Sequence, residues 1–177
     1  MFSPPNTAPA FRKIRPLGLG AIAAAALAAT VSFAGPTVAH STTSSRHATA
    51  FAFGALGKPA AVDRTIRINA RDVSFDVSSA TVKVGETVRF IVTNEGVADH
   101  DFTLGDAATQ AAHRQEMLEM AGMDMGQAHL GDANAVFLKS GETKELVWRF
   151  GKAGQIEFAC NVPGHYEAGM KGVVAIQ

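Results

Sequence analysis

The chain has one cysteine in 177 residues, and that scarcity removes a whole class of small exported folds. A single thiol cannot form an internal disulfide, so no disulfide framework staples this protein, and Cys160 needs another employment. An excess of charge is missing as well: 16 basic residues balance 16 acidic ones. The chain therefore lacks the basic surface of a nucleic-acid binder. Long apolar runs are scarce too. An uncharged, alanine-rich one, residues 17–34, is near the minimum of roughly 17–20 residues that a bilayer span requires, and its many Ala and Gly residues make it a poor anchor.

That run has a different use. Arg12, Lys13 and Arg15 precede it and small residues follow it to Ala39, the order of a secretory signal peptide with cleavage after Ala34 or Ala39. Residues 1–39 are thus expected to be removed on export, which places the mature protein in the periplasm with no membrane segment. Loss of three basic and no acidic residues leaves 138 residues with a formal charge of −3, enough for one domain with an apolar core. Residues 40–64 are rich in Ser, Thr and Ala without a sustained period, and are expected to form a flexible linker.

From residue 65 the period is two. Ile66, Ile68 and Ala70 alternate with polar residues, as do Val88, Phe90 and Val92, then Leu146, Trp148 and Phe150, and the stretch 171–177 closes the series. Short strands separated by Gly-containing turns predict an all-β, antiparallel Greek-key β-sandwich over residues 65–177. Gly-Glu-Thr occurs at 85–87 and again at 141–143, each time just before a strand, and reads as shared turn chemistry rather than a repeat.

Alternation also aims the donors. Ile156, Phe158 and Cys160 share one face, as do His100, Phe102 and Leu104, so a cysteine and a histidine both point inward near strand ends. Asp99, Asp101 and Asp106 read as a solvated face beside them. Four residues separate Cys160 from His165 and four more separate His165 from Met170, while Pro163, Gly164 and Gly169 keep the segment a loop. Two imidazoles, a thiolate and a thioether are the ligand set of a type 1 copper centre. Zinc can also take His₂Cys, though it rarely takes a thioether, and without metal Cys160 would be a core thiol and His165 a loop residue.

The stretch CNVPGHYEAGMKG, together with VKVGETVRFIVTN and HDFTLG, resembles the cupredoxins, the plastocyanin and azurin family. The resemblance implies a cupredoxin-like fold and a blue copper site with His100, Cys160, His165 and Met170 as ligands. It further implies one-electron chemistry through His165, with Pro163 and Tyr166 near the docking patch for a redox or copper-transfer partner. Many members have Asn after the first His; this chain has Asp101. Copper enzymes of related fold need further histidines for a second centre, but Cys160 is flanked by Ala159 and Asn161, and only His40, His47, His113 and His129 remain. The expected protein is accordingly a monomeric binder and not an enzyme.

Residues 105–133 form an insertion holding four of the six methionines. A helix is predicted over 107–121, N-capped by Asp106 and stopped by Gly122. His113, Met117 and Met120 fall on one face, with Met123, Met125 and His129 beyond. That face either packs on the sandwich or forms a second, softer Cu(I) site. The insertion resembles that of bacterial periplasmic cupredoxins associated with copper tolerance, which implies a role in handling copper, with a dedicated electron carrier as the alternative.

Overall fold

The computed structural model describes residues 49–123 and 131–177. Eleven strands and one α-helix occur among them, in the order β1 (Ala50–Phe51), β2 (Gly54–Leu56), β3 (Arg64–Arg71), β4 (Ser74–Phe75), β5 (Ser79–Val82), β6 (Thr87–Asn94), β7 (His100–Gly105), α1 (Ala107–Glu119), β8 (Ala135–Leu138), β9 (Thr143–Phe150), β10 (Gly154–Ala159) and β11 (Lys171–Ile176), with a 3-10 turn at Pro59–Ala61 between β2 and β3. They form two sheets, β1-β2-β9-β6-β3-β4 and β5-β11-β10-β7-β8. The expected sandwich is present. Most neighbours are antiparallel, but β3 pairs with β6, and β5 with β11, in parallel, so each sheet is mixed.

Side chains of the two inner faces meet in one aromatic-rich core. Val88, Phe90 and Val92 of β6 are fully buried, as alternation required, and so are Phe102, Leu104, Trp148, Phe150 and Phe158. Phe102 stacks on Phe158 at 5.6 Å between centroids, and Phe75 meets Phe158 edge-on at 5.5 Å. Burying each such side chain contributes about 1.5–3 kcal/mol. This cluster lies directly beneath the strand ends that carry His100 and Cys160.

Both Gly-Glu-Thr copies close the same turn. Gly85 and Gly141 have φ of 84° and 79°, the third position of a type II turn, where a side chain would be strained. The following glutamate then accepts a hydrogen bond from the backbone N–H that opens the turn, Glu86 from Lys83 at 2.7 Å and Glu142 from Lys139 at 2.9 Å.

The linker expected over 40–64 does not hold where the structure describes it; residues 40–48 lie outside the described residues. From Ala50 the chain forms β1 and β2 and joins the first sheet along β9. Phe51 and Phe53 explain why. They stack at 5.0 Å and lie 5.9 and 5.6 Å from the Trp148 ring, covering an indole that the sheet alone would leave open. Gly54, at φ 148°, passes so close to Trp148 and the Arg149 carbonyl that a Cβ would collide with both.

The insertion contains the predicted helix. Asp106 caps it, accepting from the Thr109 N–H at 2.8 Å. The helix ends at Glu119, two residues before the expected end, because Ala121 N–H bonds Leu118 in a tighter turn before Gly122 at φ 93°. Gln110, His113 and Met117 form its buried face, against the side of β7 turned away from the sandwich core.

Candidate metal centre

His100 opens β7, and Cys160 follows the last residue of β10, so neighbouring strands deliver both side chains to one end of the sandwich. The ten residues after Cys160 are folded by their own backbone. His165 N–H bonds Val162 O at 2.9 Å, Met170 N–H bonds His165 O at 3.0 Å, and Cys160 N–H bonds Met170 O at 3.0 Å. Gly164 and Gly169, at φ 88° and 94°, supply the left-handed positions this compact loop needs. The loop returns Met170, fully buried, to an apolar cluster with Cys160 and Ala70.

Three donor atoms then face one another. His100 Nδ1 and His165 Nδ1 are 3.2 Å apart, and Cys160 Sγ is 3.7 and 3.3 Å from them. A point equidistant from the three lies about 2 Å from each, close to the metal–imidazole bond length of about 2.0–2.1 Å. Among the described residues this is the one set of three His, Cys, Asp or Glu side chains within such reach.

The electrostatics suit a cation. Burial, and then the positive form of His165, lower the His100 pKa, which keeps its ring neutral with a lone pair available. Burial and the nearby charge of Asp101 push the Cys160 thiol well above its ordinary range. A metal ion is the charge that would let that thiol ionise here. His100 Nε2 is buried without a hydrogen-bond partner among the described residues, so the ring is held by packing and by whatever its Nδ1 engages. A neutral His₂Cys triangle with an adjacent thioether fits copper, whose soft donors these are.

Asp101 is not on a solvated face. It is completely buried because α1 covers the outer side of β7, which therefore has both faces enclosed. Its backbone N–H points at Cys160 Sγ, 3.5 Å away, and its carboxylate accepts from Asn161 N–H, from Thr103 Oγ1 at 2.8 Å and from His113 Nε2 at 3.1 Å. The aspartate thus ties the His100 strand to the Cys160 loop. Sequence reasoning also passed over Asp72, Asn94 and Gly96. Asp72 accepts from Val97 N–H at 2.9 Å, Asn94 bridges Ala98 O and Gly96 N–H, and a Cβ on Gly96 would sit 3.2 Å from His100 Nε2. Together they fix the bend that enters β7; the Asn-Glu-Gly turn sequence was the available signal.

The described candidates for a second site differ in their surroundings. His113 is bound to Asp101, with Glu116 3.6 Å from its other nitrogen, and Met117 is fully buried in the packing. Met120 is half-buried and Met123 exposed, while Met125 and His129 lie outside the described residues.

A family model described as copper binding proteins, plastocyanin/azurin family, matches residues 62–177. The chain is 41% identical to the copper-resistant cuproprotein CopI of Pseudomonas aeruginosa, over 71% of this chain and 83% of that protein. It is 45% identical to the copper-resistant cuproprotein CopI of Rubrivivax gelatinosus, over 71% and 73%. The fold is similar to that of auracyanin B, with a TM-score of 0.56, 22% identity and coverage of 72% of this chain and 96% of that one.

Proposed function

Because the chain belongs to the plastocyanin/azurin family of copper-binding proteins, we propose that His100, Cys160 and His165 hold one copper ion as a type 1 centre. Met170 would add a weak thioether ligand, and the exported protein serves copper tolerance as a one-electron redox-active binder. The convergence of the three donor atoms carries this reading. When bound, copper supplies a one-electron couple. The protein supplies rigid donors: a thiolate once Cys160 has lost its proton, two neutral imidazoles, and a loop whose backbone bonds already hold the geometry. Buried His100 and half-buried His165 divide the work, the latter bringing a ring edge toward the surface for electron exchange with a partner.

The relatives named as copper-resistant cuproproteins favour tolerance over a dedicated electron carrier. Residues 1–39 act as the export leader. Determining the N-terminus of the periplasmic form tests this, with Gly35 or His40 as the expected first residue.

The deciding experiment is visible absorption and EPR after one equivalent of Cu(II). An intense thiolate-to-copper band that disappears in Cys160→Ala is expected; a colourless protein with an ordinary tetragonal signal overturns the ligand assignment. Growth in graded copper of cells lacking the protein, complemented by wild type or by Cys160→Ala, tests the role. Copper sensitivity rescued by wild type alone supports tolerance, and unchanged copper resistance with impaired electron transport supports the carrier. Bound Cu(I) beyond one equivalent, lost on replacing Met120, Met123 and Met125, would assign the surplus to the insertion. A stoichiometry of one makes those methionines structural.

A further inference from the structure

Side chains of α1 reach the residue immediately following each of the three donors, Gln110 and His113 from its buried face and Arg114 from the flank beside it. His113 Nε2 donates to the carboxylate of Asp101, next to His100, at 3.1 Å. Gln110 Oε1 accepts from the side-chain amide of Asn161, next to Cys160, at 2.9 Å, while its own Nε2 donates to Thr103 O at 2.9 Å. Arg114 lays its guanidinium over the ring of Tyr166, next to His165, 3.8 Å from the centroid, and pairs loosely with Glu167 at 3.9 Å. One short helix, itself capped at Asp106, therefore touches the chain just beyond all three atoms of the triangle.

We infer that α1 is the positioning element of the metal centre, with His113 as its principal positioning residue acting through Asp101. The inference rests on the reading of His100, Cys160 and His165 as copper donors. Its physical basis is the burial of a carboxylate within reach of the metal. Such a group must be supplied with donors, and each one lost leaves more negative charge uncompensated in a low-dielectric setting. Asp101 also presents its backbone N–H to the sulfur, so the orientation of its carboxylate and the environment of the thiolate are one problem. Outer partners of ligand residues commonly matter this way. Taking away the His113 donor favours the more highly charged Cu(II) over Cu(I) and loosens the segment that shields Cys160.

The test uses the exported chain carrying His113→Ala or His113→Gln, the second of which keeps an amide donor within reach of Asp101. Circular dichroism checks folding. The reduction potential and the thiolate-to-copper band are read on the copper-loaded protein, and the alkylation rate of Cys160 on the metal-free protein. His113→Ala is expected to fold, to bind one copper and to lower the Cu(I)/Cu(II) affinity ratio about tenfold, a fall of about 59 mV for a one-electron couple. Its Cys160 is expected to react about tenfold faster as the Asp101 tie to the Asn161 backbone loosens and uncovers the sulfur, and His113→Gln to return both values most of the way to wild type.

A folded His113→Ala with wild-type potential and alkylation rate overturns the inference, and so does a His113→Gln that behaves like the alanine variant. If His113→Ala does not fold, Gln110→Ala and Arg114→Ala decide: a changed potential or Cys160 reactivity in either supports α1 as the positioning element, and neither changing refutes it. A wild type lacking the thiolate-to-copper band refutes the donor assignment instead, and the alkylation rates of the metal-free proteins then decide whether α1 holds Cys160.

Discussion

At position 101 a carboxylate links the two ligand segments, and the consequence at the scale of single residues is a thiol that resists ionising. Burial first, and the Asp101 charge second, hold the Cys160 proton in place. Copper loading must expel it. Burial lowers the His100 pKa and favours its neutral ring, so the proton that copper binding must displace at neutral pH is that of Cys160. Apparent affinity should therefore rise about tenfold for each pH unit. On acidification through the lowered His100 pKa, a second proton competes and the dependence steepens. Competition with a chromophoric chelator between pH 4.5 and 8 reads this directly, and an affinity constant across that range would exclude Cys160 as a ligand. The inward aim of His100 and Cys160 was legible, since period-two alternation fixes side-chain direction within a strand. The burial of Asp101 was not, because alternation says which way a residue points and nothing about what will cover it.

Among the elements, α1 was readable from its ends and the β1–β2 hairpin was missed. Asp106, three residues before Thr109, and Gly122 are local signals that act through their own backbone, so they survive in the sequence. Strands of two and three residues are too short for a period to register; only the alternation of Phe51 and Phe53 marked them. The parallel pairings of β3 with β6 and of β5 with β11 were equally invisible, because they join segments whose connection runs through other elements. Replacing Asp106 by Ala removes the cap that starts α1 and should lower stability by about 1 kcal/mol, measured by urea denaturation. If α1 positions the metal centre, the same variant should also disturb the copper absorption band. The Gly-Glu-Thr turns show the opposite case of full legibility: identical residues close identical turns through the glycine φ and the glutamate side chain.

On the scale of the whole molecule, the hairpin seals one side of the core over the single tryptophan. Trp148 is fully buried beneath Phe51 and Phe53, so its fluorescence reports whether that seal is in place. Deleting residues 49–57 should shift the emission to longer wavelength. Phe53→Ala alone should cost about 3–5 kcal/mol, the usual range for a buried phenylalanine. Unchanged emission after the deletion would mean that the aromatic lid does not protect the indole in solution.

β11 follows every other strand in the sequence, yet it sits inside its sheet, hydrogen-bonded to β5 on one side and β10 on the other. The ligand loop is the segment between β10 and β11. A ribosome that has delivered residues up to Met170 has made every donor but not the strand that locks them. The site therefore cannot be locked before β11 has been made and paired, and a growing chain that ends at Met170 offers copper no finished trap.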